Sequence, residues 1–444
     1  MSGPDGRCIR KRQRLRTDAD SGRTVPQLPL EIVTMEILSR LPVKSLLRFR
    51  SVCKAWRSVI SDDLSLVGSH QQHQPQASSL LVFPVLMCGR PDHGDDHHRY
   101  AAEKEKQRSC SSMAFYRWEP SPLAKAVSLV HAVDGMAPKQ RCPFVPHDVL
   151  AHCDGLVLVA TRERKVHLFN PSARQAVTLP WSPGSDAPRS FPYHQAFGLG
   201  RDPRSGPGAY KAARYFHREV LVVATGWYEL TTGMEVFTVG TDRRWREVAT
   251  QPPYPVIPGR TATSFKGSLL WTVDEAYLGV GATAPGFLRL SLEDETFGVT
   301  PPPPCHPRLN YFCSTLSELR GELCVGRTLE PNVLEMWMSE DAVRPRWERR
   351  YAIRDAVQPP YLPHPVAASD DRIVFHDLQG SDDHSDVFVC DYSFRTQVFK
   401  RIVKMHRLRG YHHKRPGASI AAAAQIFVIP YRENLLQLNN YIVQ

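Results

Sequence analysis

Several absences in the sequence limit the chemistry that this protein can perform. The chain has ten cysteines, yet no two form a Cys-x-x-Cys pair and no histidine pair at ligand spacing accompanies them, so structural zinc is not expected. Gly198-Leu-Gly200 and Gly206-Pro-Gly208 are glycine-rich, but the Gly-Lys-Ser/Thr of a phosphate-binding loop is missing. A hydrolase Gly-x-Ser-x-Gly elbow is also missing. We therefore expect no catalytic residue, no metal and no cofactor, and an enzyme is the less favoured alternative.

Long apolar segments are missing as well. No apolar signal segment opens the chain, and the weakly polar run from Ala418 to Pro430 is interrupted by Gln425 and is too short to cross a bilayer. We therefore expect free thiols and an intracellular protein, in the nucleus and/or the cytoplasm, with no membrane partner.

The charge balance is basic. The net charge of +11 comes from 56 basic and 45 acidic residues, and the stretch from Arg7 to Arg16 has six basic residues and no acidic one. This stretch is either functional, as a nuclear-import signal or a loose contact with an anionic partner, or a solvated disordered tail, and the sequence leaves these alternatives open. No basic stripe interleaved with aromatic residues follows it, so no nucleic-acid partner is expected.

The length and the pattern predict two domains. The chain has 444 residues, 37 of them proline, which favours short elements and many loops. We predict a disordered basic tail at 1–24, a helical module at 25–66, a polar linker at 67–78, a β domain at 79–430 and a C-terminal tail at 431–444. The histidines of Ser69–Gln76 and Gly89–Arg99 are expected to be solvated and not to bind metal.

The helical module has more apolar surface than so small a unit can bury. Pro29 suits the first position of one helix, and Pro42 ends that helix and opens a second. Val52, Trp56, Val59 and Ile60 form a stripe on a third helix. A unit of about 40 residues is near the lower limit for independent folding, so part of the surface is predicted to be an interface. The alternative is a helical hairpin packed on the rest of the chain.

This module resembles an F-box. The resemblance rests on Leu28-Pro29, on Glu36-Ile37-Leu38-Ser39-Arg40-Leu41-Pro42, on Lys44-Ser45-Leu46 and on Val52-Cys53-Lys54-Ala55-Trp56. One departure is an extra residue between Leu28-Pro29 and Glu36-Ile37-Leu38. The resemblance implies a three-helix fold that binds a Skp-type adaptor and, through it, a cullin. It implies that the adaptor contacts are Leu28, Pro29, Ile37, Leu38, Leu41, Pro42, Leu46, Leu47, Val52, Cys53 and Trp56.

From residue 79 the apolar pattern changes from helical to alternating. Short runs rich in Val, Leu, Phe, Tyr and Trp are separated by Gly, Pro, Asp and Asn, which is typical of many short strands. Paired-strand units begin near Ser79, Gly155, Glu219, Gly267, Gly321 and Arg372. Four-strand repeats of roughly 50 residues favour a β-propeller-like domain of about six blades. The strand Gln425–Pro430 is predicted to complete the first blade, and a β-sandwich is the rival architecture.

The β region also resembles the F-box-associated, kelch-like domains of plant F-box proteins. The resemblance rests on His152-Cys-Asp-Gly-Leu156, Phe169-Asn-Pro-Ser172, Phe197-Gly-Leu-Gly-Arg-Asp-Pro203, Met234-Glu-Val-Phe237 and Trp347-Glu348. It implies the substrate-recognition subunit of a Skp–cullin–F-box ubiquitin ligase, in which the β domain binds a target protein. Because aromatic residues dominate interface energy, the candidate target contacts are Tyr193, Trp227, Tyr254, Tyr277 and Tyr361. The alternatives are an adaptor-binding module outside any ligase and a propeller enzyme.

Overall fold

The computed structural model describes residues 28–74, 79–85, 112–119, 127–134, 150–161, 165–182, 195–222, 227–278, 281–329, 333–354, 363–381, 384–404 and 425–438. The basic tail, the insertion at 89–110, Tyr193 and Tyr361 lie outside these residues. Within them, no helix has the length and apolar character needed to cross a membrane. The same residues include no group of three or more His, Cys, Asp or Glu side chains arranged to hold a metal ion.

Four helical segments form the N-terminal module. The first combines α1 (Leu30–Ile32), a π-helical turn (Val33–Ile37) and a 3-10 turn (Leu38–Arg40). The others are α2 (Val43–Phe49), α3 (Lys54–Asp62) and α4 (Leu64–His73). The predicted three helices are therefore joined by a fourth.

Helix α4 lies where the sequence predicts a polar linker, so that prediction is corrected. Its first turn is capped by Asp63, whose Oδ1 accepts a hydrogen bond from the Ser65 backbone N–H at 2.8 Å. Leu66, Val67 and His70 are buried on one side of it. The His-Gln composition of this segment hid the helix, because the buried side depends on only a few residues.

The β domain is a propeller of six blades, as predicted, and each blade is a four-stranded antiparallel sheet. The strands of the first three blades are β1 (Ser79–Val85), β2 (Ser112–Trp118), β3 (Ser128–Asp134), β4 (Ala151–Cys153), β5 (Leu156–Ala160), β6 (Val166–Asn170), β7 (Gln175–Thr178), β8 (Gln195–Arg201), β9 (Tyr210–Val222), β10 (Trp227–Thr238) and β11 (Arg246–Glu247). The remaining strands are β12 (Thr263–Phe265), β13 (Ser268–Trp271), β14 (Phe287–Ser291), β15 (Phe297–Thr300), β16 (Ser314–Leu319), β17 (Glu322–Leu329), β18 (Val333–Ser339), β19 (Glu348–Arg354), β20 (His364–Ala368), β21 (Arg372–Ser381), β22 (His384–Ser393), β23 (Val398–Lys404) and β24 (Gln425–Tyr431).

The last strand closes the ring, which confirms the prediction for Gln425–Pro430. β24 pairs with β1 in antiparallel register from Ser79–Tyr431 to Val85–Gln425. The first blade therefore has the order β24-β1-β2-β3, with strands from both ends of the domain. This pairing satisfies the backbone groups of β1 that would otherwise form a free sheet edge.

The third blade begins earlier than predicted. Its first strand is β8, Gln195–Arg201, and not the run near Glu219. Gly198 and Gly200 lie within this strand, where Cβ atoms would come within 2.8 Å and 2.5 Å of the side chains of Leu269 and Leu292 in the next blade. These glycines allow two blades to pack closely, which explains a glycine-rich stretch that has no phosphate-binding motif.

The alternation of strand directions gives the propeller two faces. The turns after the first and third strand of each blade lie at one end, which we call the turn face. The connections after the second and fourth strand lie at the opposite end, which we call the loop face. In blade three, β9 and β10 continue beyond β8, because Gln195 pairs with Phe216 while Val222 pairs with Trp227. This hairpin extends past the loop face.

The helical module packs on the turn face. Gln71 of α4 donates to the Tyr210 hydroxyl at 2.6 Å. A Cβ at Gly68 would lie 2.7 Å from Cβ of Pro207 in the turn after β8, so the α4 backbone approaches the propeller closely. The alternative of a helical module packed on the rest of the chain is therefore correct for one side of it.

The segment that follows β24 lies between the module and the propeller. The Glu433 carboxylate accepts a hydrogen bond from the Val43 N–H at 2.7 Å and so caps α2. Asn434 Nδ2 donates to the Asp154 carbonyl at 2.9 Å. Leu435, Leu436 and Leu438 are buried in one core cluster with module residues. The C-terminal tail predicted at 431–444 is therefore packed over residues 432–438. There it forms part of the contact between the helical module and the propeller, which we call the joint.

A substitution at Asn170 tests this joint. Its fully buried amide donates to the carbonyls of Asn434 at 3.0 Å and Leu436 at 2.8 Å. Asn170→Ala leaves both acceptors unpaired, so we expect the free energy of unfolding to fall by about 2–4 kcal/mol in chemical denaturation. The matched control is Asn310→Ala, which removes bonds to the exposed Phe312 and Cys313 amides and should cost less than about 1 kcal/mol. Equal losses would contradict a buried joint.

Candidate protein-interaction surfaces

The helical module exposes several apolar residues. Leu28 and Val52 are 61% and 60% exposed, and Ile37 is 44% exposed. Pro29, Pro42 and Cys53 are exposed as well. An apolar surface of this kind is typical of a protein-interaction site. We call these six residues, together with Leu30 and Ile32, the apolar surface of the module.

The predicted adaptor contacts divide into three groups. The exposed group consists of Leu28, Pro29, Ile37, Pro42, Val52 and Cys53. The half-buried group, which packs against the core, consists of Leu41, Leu47 and Trp56. For Leu38 and Leu46 the expectation of surface contact is corrected, because both are fully buried in the core cluster shared with the propeller. They are on the side of the module that faces the joint, so their role here is packing.

Two exposed residues were not among the predicted contacts. Leu30 is 43% exposed and Ile32 is 45% exposed. Ile32, Val33, Ile37 and Leu38 follow a helical spacing, but only Val33 and Leu38 turn inward. The reason is the π turn at Val33–Ile37. A π turn holds one residue more than an α turn, so the apolar residues after it point in a different direction around the helix from the one that α-helical spacing predicts. This turn accommodates the extra residue noted in the sequence.

The start of α3 is organised around Cys53. Its Sγ accepts from the Trp56 backbone N–H at 3.4 Å and caps the helix. The Trp56 ring packs edge-to-face on Phe49, with 5.4 Å between the ring centroids. These contacts keep Val52 and Cys53 exposed at the helix start while the Trp56 ring stabilises the α2–α3 packing.

His70 joins α4 to the turn before α2. A ring nitrogen, Nε2, lies 3.0 Å from the Leu41 carbonyl oxygen, and the side chain is fully buried. Burial lowers the pKa of His70, while the bond to Leu41 and the Glu433 carboxylate act in the opposite direction. The neutral imidazole donates to Leu41 and supports the position of this exposed surface.

The three described members of the predicted target contacts belong to the loop face. Tyr254 precedes the first strand of blade four, whereas Trp227 and Tyr277 are in or beside connections between second and third strands. Tyr193 and Tyr361 lie outside the described residues, and their contact with a target stays a prediction. The blade topology collects the three described positions at one end. This end is opposite the helical module.

The described members of this set differ in exposure. Tyr277 is 50% exposed and makes an edge contact with the His217 ring, at 5.8 Å between centroids. Tyr254 is half-buried and packs against the core between blades three and four, so packing explains much of its surface. For Trp227 the structure describes the backbone, at the start of the hairpin that extends past the loop face.

The loop face also presents aromatic residues that the sequence analysis missed. Phe312 is 71% exposed and Trp181 is 48% exposed. The Arg260 guanidinium lies over the Phe312 ring, 5.6 Å from its centroid, and donates to the Phe312 carbonyl at 2.5 Å. The Phe312 backbone N–H donates to the side-chain oxygen of Asn310, a turn residue two positions earlier. An aromatic residue close to a turn residue was the signal available in the sequence.

Two family models match this chain. Residues 25–67 match the F-box domain, and residues 134–348 match the F-box associated beta propeller domain. The second match extends from the end of β3 to the start of β19. The structural repeats continue on both sides of it, over residues 79–431. The kelch-like character of the repeats stays a prediction.

Curated relatives from Arabidopsis thaliana are F-box proteins. F-box protein At5g10340 is 25% identical over 73% of this chain and 69% of its own length. F-box protein At2g21930 is 25% identical over 79% of each chain. F-box protein At3g07870 is 24% identical over 82% of this chain and 80% of its own length.

Among solved structures, similarity concerns the fold alone. An oligogalacturonate lyase in complex with manganese is 7% identical, covers 67% of this chain and 75% of its own, and has a TM-score of 0.37. The Malassezia sympodialis allergen Mala s 1 is 10% identical, covers 65% of this chain and 92% of its own, and has a TM-score of 0.33.

The environment of His70 gives a pH prediction. Because its pKa is lowered on folding, the unfolded chain binds more protons below its ordinary pKa of about 6.5. The stability contributed by neutral His70 is present above that pH and is lost as the pH falls. We expect His70→Gln to reduce the fall in free energy of unfolding between about pH 7.5 and pH 5.5, measured by denaturant titration. His306→Gln, at an exposed position of the propeller, should leave the fall unchanged. An unchanged pH dependence in His70→Gln would contradict the assignment.

Proposed function

Because the chain carries an F-box domain and an F-box-associated β-propeller domain, we propose that it is the substrate-recognition subunit of a Skp–cullin–F-box E3 ubiquitin ligase. The observation that carries the proposal is the apolar surface of the module. Leu28, Ile37 and Val52 are exposed there, while the other side of the module is buried against the propeller. A Skp-type adaptor would cover this surface and connect the chain to a cullin.

The two faces of the propeller support a division of roles. The helical module occupies the turn face, and the aromatic residues of the loop face are at the opposite end. Hydrogen bonds through residues 433–438 and packing of α4 hold the module against the blades. A target on the loop face would therefore have a defined position relative to the adaptor, and ubiquitin transfer would gain from effective concentration.

The loop face has the residue types that dominate protein interfaces. Phe312 with Arg260, and Tyr277 in a neighbouring connection, combine exposed aromatic area with a guanidinium group. We propose that these residues, with Tyr254 as a partly buried support, contribute to target binding. Trp227 is a proposed contact from topology alone, and Tyr193 and Tyr361 are proposed contacts from the sequence alone.

Adaptor binding is tested with Ile37→Asp in the full-length protein. A carboxylate placed in an apolar interface loses hydration without gaining a partner, so we expect affinity for a purified plant Skp-type adaptor to fall at least about 100-fold in titration calorimetry. The matched control is Val343→Asp, at a 54% exposed position in blade five, which should bind normally. Full adaptor affinity in a folded Ile37→Asp protein would remove Ile37 from the interface, and no binding by the wild type would overturn the proposal.

Cullin recruitment separates a ligase subunit from an adaptor-binding module outside any ligase. We expect the wild-type protein and adaptor to co-elute with a purified cullin in size-exclusion chromatography. With a charged ubiquitin-conjugating enzyme, we expect ubiquitin transfer to lysines of this chain, and Ile37→Asp should abolish both results. Adaptor binding without cullin recruitment would favour the non-ligase alternative.

A further inference from the structure

One edge of strand β10 is open where the strand begins, beyond the loop face. β9 and β10 pair with each other as far as Val222 and Trp227, whereas β11 pairs with β10 only at Glu235 and Val236. Among the residues that the structure describes, no strand pairs with the β11 side of β10 over residues 227–231. A strand edge of this kind presents backbone N–H and C=O groups to a further strand. We call residues 227–231 of β10 the open edge.

The chain that follows β11 leaves β10 before it reaches the open edge. The Thr232 hydroxyl donates to the Pro252 carbonyl at 3.5 Å. Proline has no backbone N–H, so Pro252 and Pro253 cannot continue the pairing. The chain then crosses to blade four, where Val256 forms a β-bridge with Val273. This connection lies entirely within the described residues, and no part of it pairs with the open edge.

The base of the β9–β10 hairpin is held by side-chain packing. Phe216 is directly opposite Gly233, and a Cβ atom at Gly233 would meet the Phe216 ring, so the missing side chain leaves room for the ring. The Arg218 guanidinium lies over the same ring, 4.9 Å from its centroid, and forms an ion pair with Glu247 of β11. The hairpin therefore leaves the blade in a fixed direction, which lowers the ordering cost of binding at the open edge.

An exposed aromatic residue of blade four lies beside this hairpin. The Tyr277 ring makes an edge contact with His217, at 5.8 Å between centroids, and His217 is opposite Thr232, the residue next to the open edge. The Tyr277 side chain is 50% exposed. When an extended peptide adds to a sheet edge, backbone hydrogen bonds supply affinity and neighbouring side chains supply specificity. The open edge and Tyr277 together provide both kinds of contact.

The charge near the open edge is acidic, although the whole chain has a net charge of +11. Residues 219–230 contain Glu219 and Glu229 and no basic residue, and Asp274 precedes the 3-10 turn that carries Tyr277. Like charges on neighbouring strands are destabilising. A second copy of this chain would bring the same glutamates together, so the charge favours a partner segment that carries lysine or arginine.

We propose that the open edge binds an extended basic segment of the target protein, which adds to β10 as a fifth strand of blade three. Backbone hydrogen bonds join the added strand to β10. Its basic residues complement the acidic charge of this corner of the loop face, and an apolar residue contacts Tyr277. The inference rests on the proposed function for the identity of the partner as a target, and it adds the mode of binding and the charge of the bound segment.

The test measures binding of a labelled peptide to the full-length protein by fluorescence polarisation at low ionic strength. The probe is an eight-residue peptide of alternating valine and lysine with blocked ends. A second peptide has glutamate in place of lysine, and a third is the valine–lysine peptide N-methylated at two successive central residues, which removes a backbone donor from each edge of the strand. We expect both comparison peptides to bind at least about tenfold more weakly than the probe.

Two protein variants locate the binding site. In the shortened variant, Asn-Gly replaces residues 219–230 and forms a two-residue turn between Arg218 and Thr231, which are opposite each other in the register. We expect it to lose probe binding and to keep the circular dichroism spectrum of a folded propeller. Glu229→Lys should weaken probe binding about tenfold. The matched control Glu340→Lys, at an exposed position on the turn face of blade five, should bind as the wild type does.

Three results would each overturn the proposal: no probe binding by the wild type, equal binding of the N-methylated peptide, or full binding by the shortened variant. A wild-type dimer in sedimentation analysis that the shortened variant lacks would assign the open edge to a second copy and would also overturn it. Adaptor and cullin are absent from this assay. A failure of peptide binding is therefore distinguishable from a failure of ligase assembly.

Discussion

The pairing of β24 with β1 is the interaction on which the rest of the structure depends. It closes the ring of blades with strands that are far apart in the sequence. The segment that leaves β24 then continues into the joint, where Glu433 caps α2 and Asn434 bonds to the turn after β4. Ring closure and placement of the helical module are therefore joined through one short stretch of chain.

The same constraint explains why the two candidate surfaces are separate. In an antiparallel four-stranded blade, alternate connections must lie at opposite ends. The module packs on the turn face, which leaves the loop face, with Phe312 and Tyr277, open for a partner. The inner strands surround a cavity whose wall is supplied by residues from distant parts of the sequence, among them His152 and His376. The three features share one scaffold, and Arg260 and Phe312 of the loop face also line the cavity.

Much of the fold could be predicted from the sequence because its signals are local. Alternating apolar runs and turn residues such as Asn170-Pro171 indicate strands and their order, and the repeat length indicates blades. The start of blade three was misplaced because Gly198 and Gly200 weaken the strand signal within β8. Helix α4 was missed because His70 is buried through a specific contact with Leu41, which a composition of histidine and glutamine does not reveal.

The candidate site shows the same limit. Leu28, Ile37 and Val52 are exposed, and their contact with an adaptor stays a prediction. Leu38 and Leu46 belong to the packed side of the module, and the π turn decides which neighbours of Val33 face outward. The sequence by itself determined the element types, the repeat and the motif, because these follow from spacing along the chain. Only the tertiary structure decided which apolar residues stay exposed, which aromatic residues share the loop face and which polar groups line the cavity enclosed by the inner strands. Those properties depend on contacts between segments far apart in sequence, and no local pattern encodes such contacts.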